Sequence, residues 1–252
     1  MPTILLSRGD DWLRPDWPVA LKRGAGLLVL SGMLLRRIRL DGRYGAELLG
    51  PGDLLRPWER EDSAASIPRQ EGWHVLAPSR MGILDLGFLH RCGAYPEISA
   101  ALVGRALRRS RNLAVHMAIV HHPRIETRLS MLFWHLADRW GVMRGDGVTV
   151  PIKGLTHSLL AELIAAQRPT VSAALGALER TGTIIRVPAG YRLHGSPPVG
   201  MVDIAPGDRP NERGSNSVTA LSVVTTQESS VGSTIIASVT APLAPAGDGS
   251  DR

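Results

Sequence analysis

Arg168 stands beside Pro169, with Thr170 and Ser172 just after it, in the stretch LLAELIAAQRPTVSAALGALERTG over residues 159–182. Proline is tolerated in the first turn of a helix, because the amide it lacks would have no intrahelical partner and its fixed φ suits the helix. Arg168 is therefore expected at the exposed tip of a stiff helix start, with Gln167 and Pro169 in the same tip. There its planar guanidinium can bond the O6 and N7 of one guanine together in a DNA major groove. Thr170 and Ser172 are small and polar, suited to phosphate oxygens or base edges, and a helix start itself attracts phosphate. Thr156, His157 and Ser158, at the head of the preceding helical stretch, are candidate contacts to a DNA backbone. Arg186 and Arg192 further on could touch flanking phosphates, or serve only as solvated surface charge.

Those side chains need two short helices to hold them. Leu159, Leu160, Leu163 and Ile164 give the first an inward face, and Val171, Leu175 and Leu178 give one to the second. Thr156 is suited to cap the first helix and Gly182 to end the second. A strand in VTVPIKG before them, and strands TIIRV and YRLHG after them, complete a winged helix-turn-helix pattern. The side of the second helix that is left over offers Arg168, Thr170, Ser172 and Ala173. A partner that is a protein surface would want that side apolar, so its polarity favours nucleic acid.

Upstream, residues 20–93 read as short apolar bursts between turns, including Asp41-Gly42, a hairpin signal, and Gly50-Pro51-Gly52-Asp53. Such spacing predicts a small β-roll of jelly-roll type. From about Tyr95 the pattern turns helical, with a stripe of Ile98, Leu102, Ala106, Leu113, Met117 and Val120 flanked by Val103, Leu107 and Ala114. A helix of that length with a broad apolar stripe packs along its own domain or pairs with a copy of itself, and pairing is the expectation. Pro123 interrupts before RIETRLSMLFWHLADRWG resumes with Ile125, Leu129, Leu132, Phe133, Leu136 and Trp140 on one side.

The fold class expected is therefore α+β, organised as a β-roll (1–93), a dimerisation helix (94–122), a winged helix-turn-helix (123–195) and a disordered low-complexity tail (196–252). The tail has no Phe, Trp, Tyr or Lys after Ser196. The chain carries a formal charge of +6, but residues 197–252 hold three arginines against six acids, so residues 1–196 carry +9. A basic folded part fits an acidic polymer as partner.

The single cysteine, Cys92, allows no internal disulfide, and no Cys-x-x-Cys pair is present to hold a metal or cluster. No nucleophile elbow, P-loop or His-Glu-x-x-His occurs, so neither enzyme activity nor a cofactor or metal is expected. The N-terminus lacks the long apolar core of a signal peptide, and no run approaches a membrane span, so a cytoplasmic protein without membrane contact is expected.

The stretch LTHSLLAELIAAQRPTVSAALGALERTGTI resembles the DNA-binding signature of the CRP/FNR family of bacterial transcription regulators: a Thr-capped helix, an Arg-x-Thr-Val start, and a helix ending in Glu-x-x-Gly. The order of roll, long helix and winged helix-turn-helix, with GPGD in the roll, is similar to that family too. The resemblance implies a homodimer through the helix from about Pro96 to His122. It also implies a two-fold symmetric double-stranded DNA site with Arg168 as chief base reader, and RNA polymerase as a further partner. The family often has a glutamate after that arginine, where this chain has Pro169, so the preferred half-site is expected to differ.

Cyclic-nucleotide binders of the family use a Gly-Glu pair for the ribose and an Arg-Ser pair for the phosphate. Here Arg56-Pro57-Trp58 stands in place of Gly-Glu and no Arg-Ser pair follows. The roll is thus expected to be a degenerate sensor, with Leu55, Arg56 and Trp58 as the candidate effector pocket. Iron–sulfur sensing is excluded by the cysteine count, and His90, His116, His121 and His122 are expected to be packing or surface residues. Two alternatives are a signalling module that contacts protein partners and a true cyclic-nucleotide-responsive regulator.

Overall fold

The structure, a computed structural model, describes residues 2–8, 18–58, 67 and 69–198. The chain divides into two units, 1–202 and 203–252, and the second lies wholly outside the described residues. The expected disordered tail falls there as well, apart from its first three residues.

The first half is built on strands β1 (Thr3–Leu6), β2 (Gly26–Leu40), β3 (Arg43–Leu49), β4 (Leu54–Leu55) and β5 (Gln70–Leu84). They form an antiparallel sheet in the order β1-β5-β2-β3, with β4 on β2. Leu40 pairs with Arg43, so Asp41-Gly42 is a two-residue turn with φ of 44° and 74°, as the hairpin signal requires. Sequence spacing predicts short strands here, yet β2 and β5 each run 15 residues. Bulges make the difference. The register of β2 on β5 slips around Ser31 to Met33, where Gly32 takes φ 93° and a Cβ would lie 2.3 Å from the Pro78 carbonyl. The slip changes which residues face inward. Leu27 and Val29 point into the roll core before it, and Leu34 after it, while Met33 and Leu35 serve the opposite face.

Two short helices flank the sheet, α1 (Val19–Lys22) and α2 (Leu86–Cys92). The apolar burst ending at Leu89 suits a strand, and α2 departs from that expectation. It forms because the Asp85 carboxylate accepts a 2.7 Å bond from the Phe88 amide, an N-cap. The roll core collects Leu6, Leu21, Leu27, Val29, Leu34, Leu49, Leu55, Val75 and Met81.

Helix α3 (Pro96–His121) spans 26 residues with Pro96 in its first turn. Helix α4 (Ile125–Trp140) begins two residues past Pro123, and its Leu129, Leu132, Phe133 and Leu136 are buried. Next come β6 (Val142–Arg144) and β7 (Gly147–Val150), paired around Gly145-Asp146, so the Gly-Asp-Gly loop is a hairpin turn with a strand on each side. Helices α5 (His157–Leu163) and α6 (Arg168–Arg180) precede β8 (Ile184–Val187) and β9 (Gly190–Leu193), and the second sheet has the order β6-β7-β9-β8. The architecture is α+β. A second core joins Met33, Leu35 and Leu48 of the first sheet to the inward faces of α4, α5 and α6 and to Tyr191 and Leu193 of β9. The ring centroids of Phe133 and Tyr191 lie 4.7 Å apart at its centre.

Candidate nucleic-acid interface

The Thr156 hydroxyl accepts a 3.2 Å bond from the Leu159 amide and starts α5, and this cap satisfies one of the amides that a helix start leaves open. Leu159, Leu160, Ala161 and Leu163 of α5 are buried, and so are Val171, Ala174 and Leu175 of α6. Between them Ala165 takes φ 52°, a left-handed step that turns the chain. Gln167 is the extended N-cap of α6 and Pro169 lies in its first turn. Gly182, at φ 71°, ends the helix, with the Thr183 amide bonded to the Leu178 carbonyl at 3.1 Å.

The predicted contact residues lie on α5, α6, the N-caps of these two helices and β8. Thr156, Ser158, Gln167, Arg168, Pro169, Thr170 and Arg186 are exposed, and the tip of α6 is uncovered by the roll. His157 and Ser172 are half-buried for a reason the sequence does not reveal. The His157 Nδ1 and Ser172 Oγ lie 2.8 Å apart, and the same hydroxyl donates to the Arg168 carbonyl at 3.0 Å. Two of the residues expected to face a partner thus bond each other. Arg186 sits on β8 at the wing's outer edge, and Arg192 is half-buried on β9.

Several side chains that hold the unit carry no local sequence signal. The α5 helix leaves carbonyls open at its end. His116 of α3 donates its Nε2–H to the Leu163 carbonyl at 2.7 Å, and Arg128 of α4 donates to Ile164 at 3.1 Å and to the His122 carbonyl. Arg37 of β2 forms a two-bond pair with Glu162 of α5 at 2.7 and 3.1 Å. The nearest hint is Glu162 itself, a charge between the buried residues Ala161 and Leu163. The partners lie far away in the chain, so spacing could not pair them.

In the roll, the residues expected to form an effector pocket are engaged within the protein. Leu55 is fully buried in the core. Arg56 donates to the Gly24 carbonyl at 3.2 Å and to the Lys22 carbonyl at 2.9 Å, and Trp58 packs against the same core. A polar cleft lies elsewhere, where Glu47 and Leu48 of β3 meet Arg109 and His116 of α3 and His135 and Arg139 of α4. Arg109 grips Glu47 with two bonds of 2.7 and 2.8 Å. Asp53 of the GPGD turn accepts from the Gly50 amide and from Arg139, each at 2.8 Å. Burial pushes the Asp53 carboxyl above the usual range, against the pull of Arg139. Burial, with Arg139 and His116 adding to it, pulls the His135 imidazole down to about 4, so it is neutral near pH 7. The arginines at this cleft are spent on carboxylates of the roll. No group of three or more His, Cys, Asp or Glu able to hold a metal occurs among the described residues, and no described helix is long and apolar enough to cross a membrane.

Residues 127–194 match the Crp-like helix-turn-helix domain. No curated protein matches the chain in sequence. Among solved structures, a cyclic nucleotide-binding domain containing protein from Listeria monocytogenes superposes with a TM-score of 0.61 at 15% identity, covering 76% of this chain and 88% of that one. A CooA mutant from Carboxydothermus hydrogenoformans gives 0.58 at 17% identity, with 77% and 84% covered. FixK2 from Bradyrhizobium japonicum gives 0.55 at 14% identity, with 77% and 92% covered. The chain thus carries a Crp-like helix-turn-helix domain over residues 127–194 and shares its overall fold with these solved structures.

Proposed function

We propose that the chain is a homodimeric, sequence-specific transcription regulator that binds a two-fold symmetric duplex in the cytoplasm, with Arg168 as its chief base reader. The observation that carries this reading is the tip of α6: Gln167, Arg168, Pro169 and Thr170 are all exposed, while Val171, Ala174 and Leu175 fix the helix from beneath. A rigid helix with a free arginine at its start suits a major groove, where a bidentate arginine–guanine contact discriminates by about 1–3 kcal/mol. Thr156, His157 and Ser158 at the start of α5, and Arg186 on the wing, serve as contacts to the flanking backbone.

Helix α3 supports the dimer. Its Arg105, Arg109 and His116 are turned to its own chain, bonded to Gly52, Glu47 and Leu163. On other sides Val103, Leu107 and Met117 are 59%, 58% and 64% exposed. Val103, Leu107, Ser110, Ala114, Met117 and His121 recur at alternating intervals of four and three, the spacing of a coiled-coil seam. Two protomers joined there would present two α6 tips to successive half-sites.

The division of labour follows: residues 1–93 as a degenerate sensor roll, 94–122 as the dimerisation helix and 123–195 as the DNA-binding part. RNA polymerase is a further partner of such a regulator. The test is sequence selection from a random duplex library with the wild-type protein and with Arg168→Ala. The variant should bind about 5- to 150-fold more weakly to the selected site and lose preference at one position of each half-site. Unaltered preference would remove Arg168 from the reading role.

A further inference from the structure

A serine hydroxyl has one proton to give. In Ser172 that proton goes to the Arg168 carbonyl at 3.0 Å, so the 2.8 Å contact with His157 is made by Nδ1–H donating to Oγ. The alternative is that the hydroxyl turns and donates to Nδ1. In both arrangements the proton stays inside the protein and cannot be offered to a base. The second also puts the ring proton on Nε2, which among the described residues has no hydrogen-bond partner. Rotation of one hydroxyl, together with exchange of the ring proton from Nδ1 to Nε2 through solvent, thus makes His157 a donor toward the outside while its ring stays held. The Arg168 carbonyl does not become orphaned by this, since a helix already gives it the amide four residues on.

Resting on the DNA-binding reading above, we propose that His157 and Ser172 work as a single clamp on the DNA backbone, and that neither reads a base. His157 Nε2–H donates to a phosphate oxygen, and Ser172 is the positioning residue that fixes the ring's angle and supplies the proton arrangement. The placement agrees with this. His157 starts α5, the helix that crosses the backbone in a helix-turn-helix, and Ser172 lies one turn behind the α6 tip that enters the groove. The bond between them also ties the two helices together across the turn, so the phosphate grip and the base-reading tip are held in one rigid frame. Base reading is then left to Arg168 and Thr170.

The experiment is a double-mutant cycle on affinity for a selected duplex, with base preference measured for each variant and thermal melting recorded in parallel. Ser172→Ala should weaken binding about fivefold on every sequence and leave preference at each base position as in the wild type. His157→Ala should cost about tenfold, and adding Ser172→Ala to it should cost little more, because the serine acts only through the ring. His157→Gln, whose amide can still reach outward but which loses the Nδ1 contact, should recover part of the loss and be indifferent to Ser172→Ala. A merely structural role would show as equal losses in melting temperature, with no rescue by glutamine. If His157→Ala fails to fold, the glutamine and serine variants decide the matter alone. Relaxed preference at a base in Ser172→Ala, or losses that simply multiply in the double variant, would overturn the clamp while leaving DNA binding in place. A wild-type protein that retards no duplex would remove the DNA-binding reading itself, and the clamp with it.

Discussion

Replacing Leu107 by alanine probes the seam on α3 with little disturbance to the protomer, because the side chain is 58% exposed and stands away from both cores. Fully burying a leucine is worth about 1.5–3 kcal/mol, so covering the exposed share is worth about 1–1.7 kcal/mol in each protomer. A two-fold pair holds two copies, and alanine keeps part of the contact. The expected loss is therefore about 2 kcal/mol per dimer, or roughly thirtyfold in the dimer dissociation constant. Sedimentation equilibrium across a range of concentrations reads this directly. Leu5→Ala, at an equally apolar and 75% exposed position of the roll, should leave the constant within threefold. Affinity for a full two-fold site should fall with dimerisation, while affinity for a half-site stays. A Leu107→Ala protein that dimerises as tightly as the wild type, or a wild type that stays monomeric at tens of micromolar, would refute the assignment of α3 as the joining surface.

Other outcomes follow from particular side chains. The His135 imidazole is held down to about 4 in the folded chain, against an ordinary value near 6.5 when unfolded. Between these values the unfolded chain takes up a proton that the folded chain refuses. The stability is complete above about pH 6.5 and falls as pH drops toward 4, by about 1–2 kcal/mol once solvent screening of this part-exposed ring is allowed for. Urea midpoints at pH 7 and 4.5 should differ by less in His135→Leu than in the wild type. A Cβ on Gly50 would lie 2.8 Å from the Trp140 ring, so Gly50→Ala should cost about 1–3 kcal/mol. At Gly176, inside α6, a Cβ meets nothing within 4 Å, and Gly176→Ala should add about 0.5–1 kcal/mol to stability in the same urea titration. Arg186→Ala should weaken all duplexes about equally and lower the slope of log affinity against log salt by about one, the share of a single phosphate.

What the sequence disclosed is local. Thr156 as a cap, Pro169 in a first turn, Gly182 at a helix end and Asp41-Gly42 in a hairpin each act within a few residues of themselves, and each appears in the structure as its chemistry requires. The length of β2 and β5 is not legible, because the bulges at Ser31 to Met33 break the two-residue alternation by which a strand is recognised. Helix α2 is hidden by an apolar composition that suits a strand equally well, and only the Asp85 cap distinguishes it. The pairs Arg37–Glu162, Arg109–Glu47 and Arg139–Asp53 join residues distant in the chain, and no pattern in one sequence matches a charge to its partner. The same limit hides the His157–Ser172 bond, which changes how two expected contact residues are understood.

The expected effector pocket shows a further limit. Residues 55–58 stand out by their position after GPGD, yet Leu55 is spent on the core and Arg56 on two carbonyls of the neighbouring chain segment. Asp53, by contrast, has a defined task in holding Gly50 and Arg139, which ties the roll's turn to α4. Position alone could not separate a residue that anchors the fold from one that meets a ligand.

Whether the uncovered start of α6 enters a duplex and reads it decides the functional assignment. Selection from a random duplex library, followed by footprinting of the enriched sites with the wild type and Arg168→Ala, measures that most directly. The predicted result is a two-fold symmetric site protected by the wild type, with one base position in each half relaxed in the variant. Recovery of no common sequence, or of one that the variant selects unchanged, would contradict it.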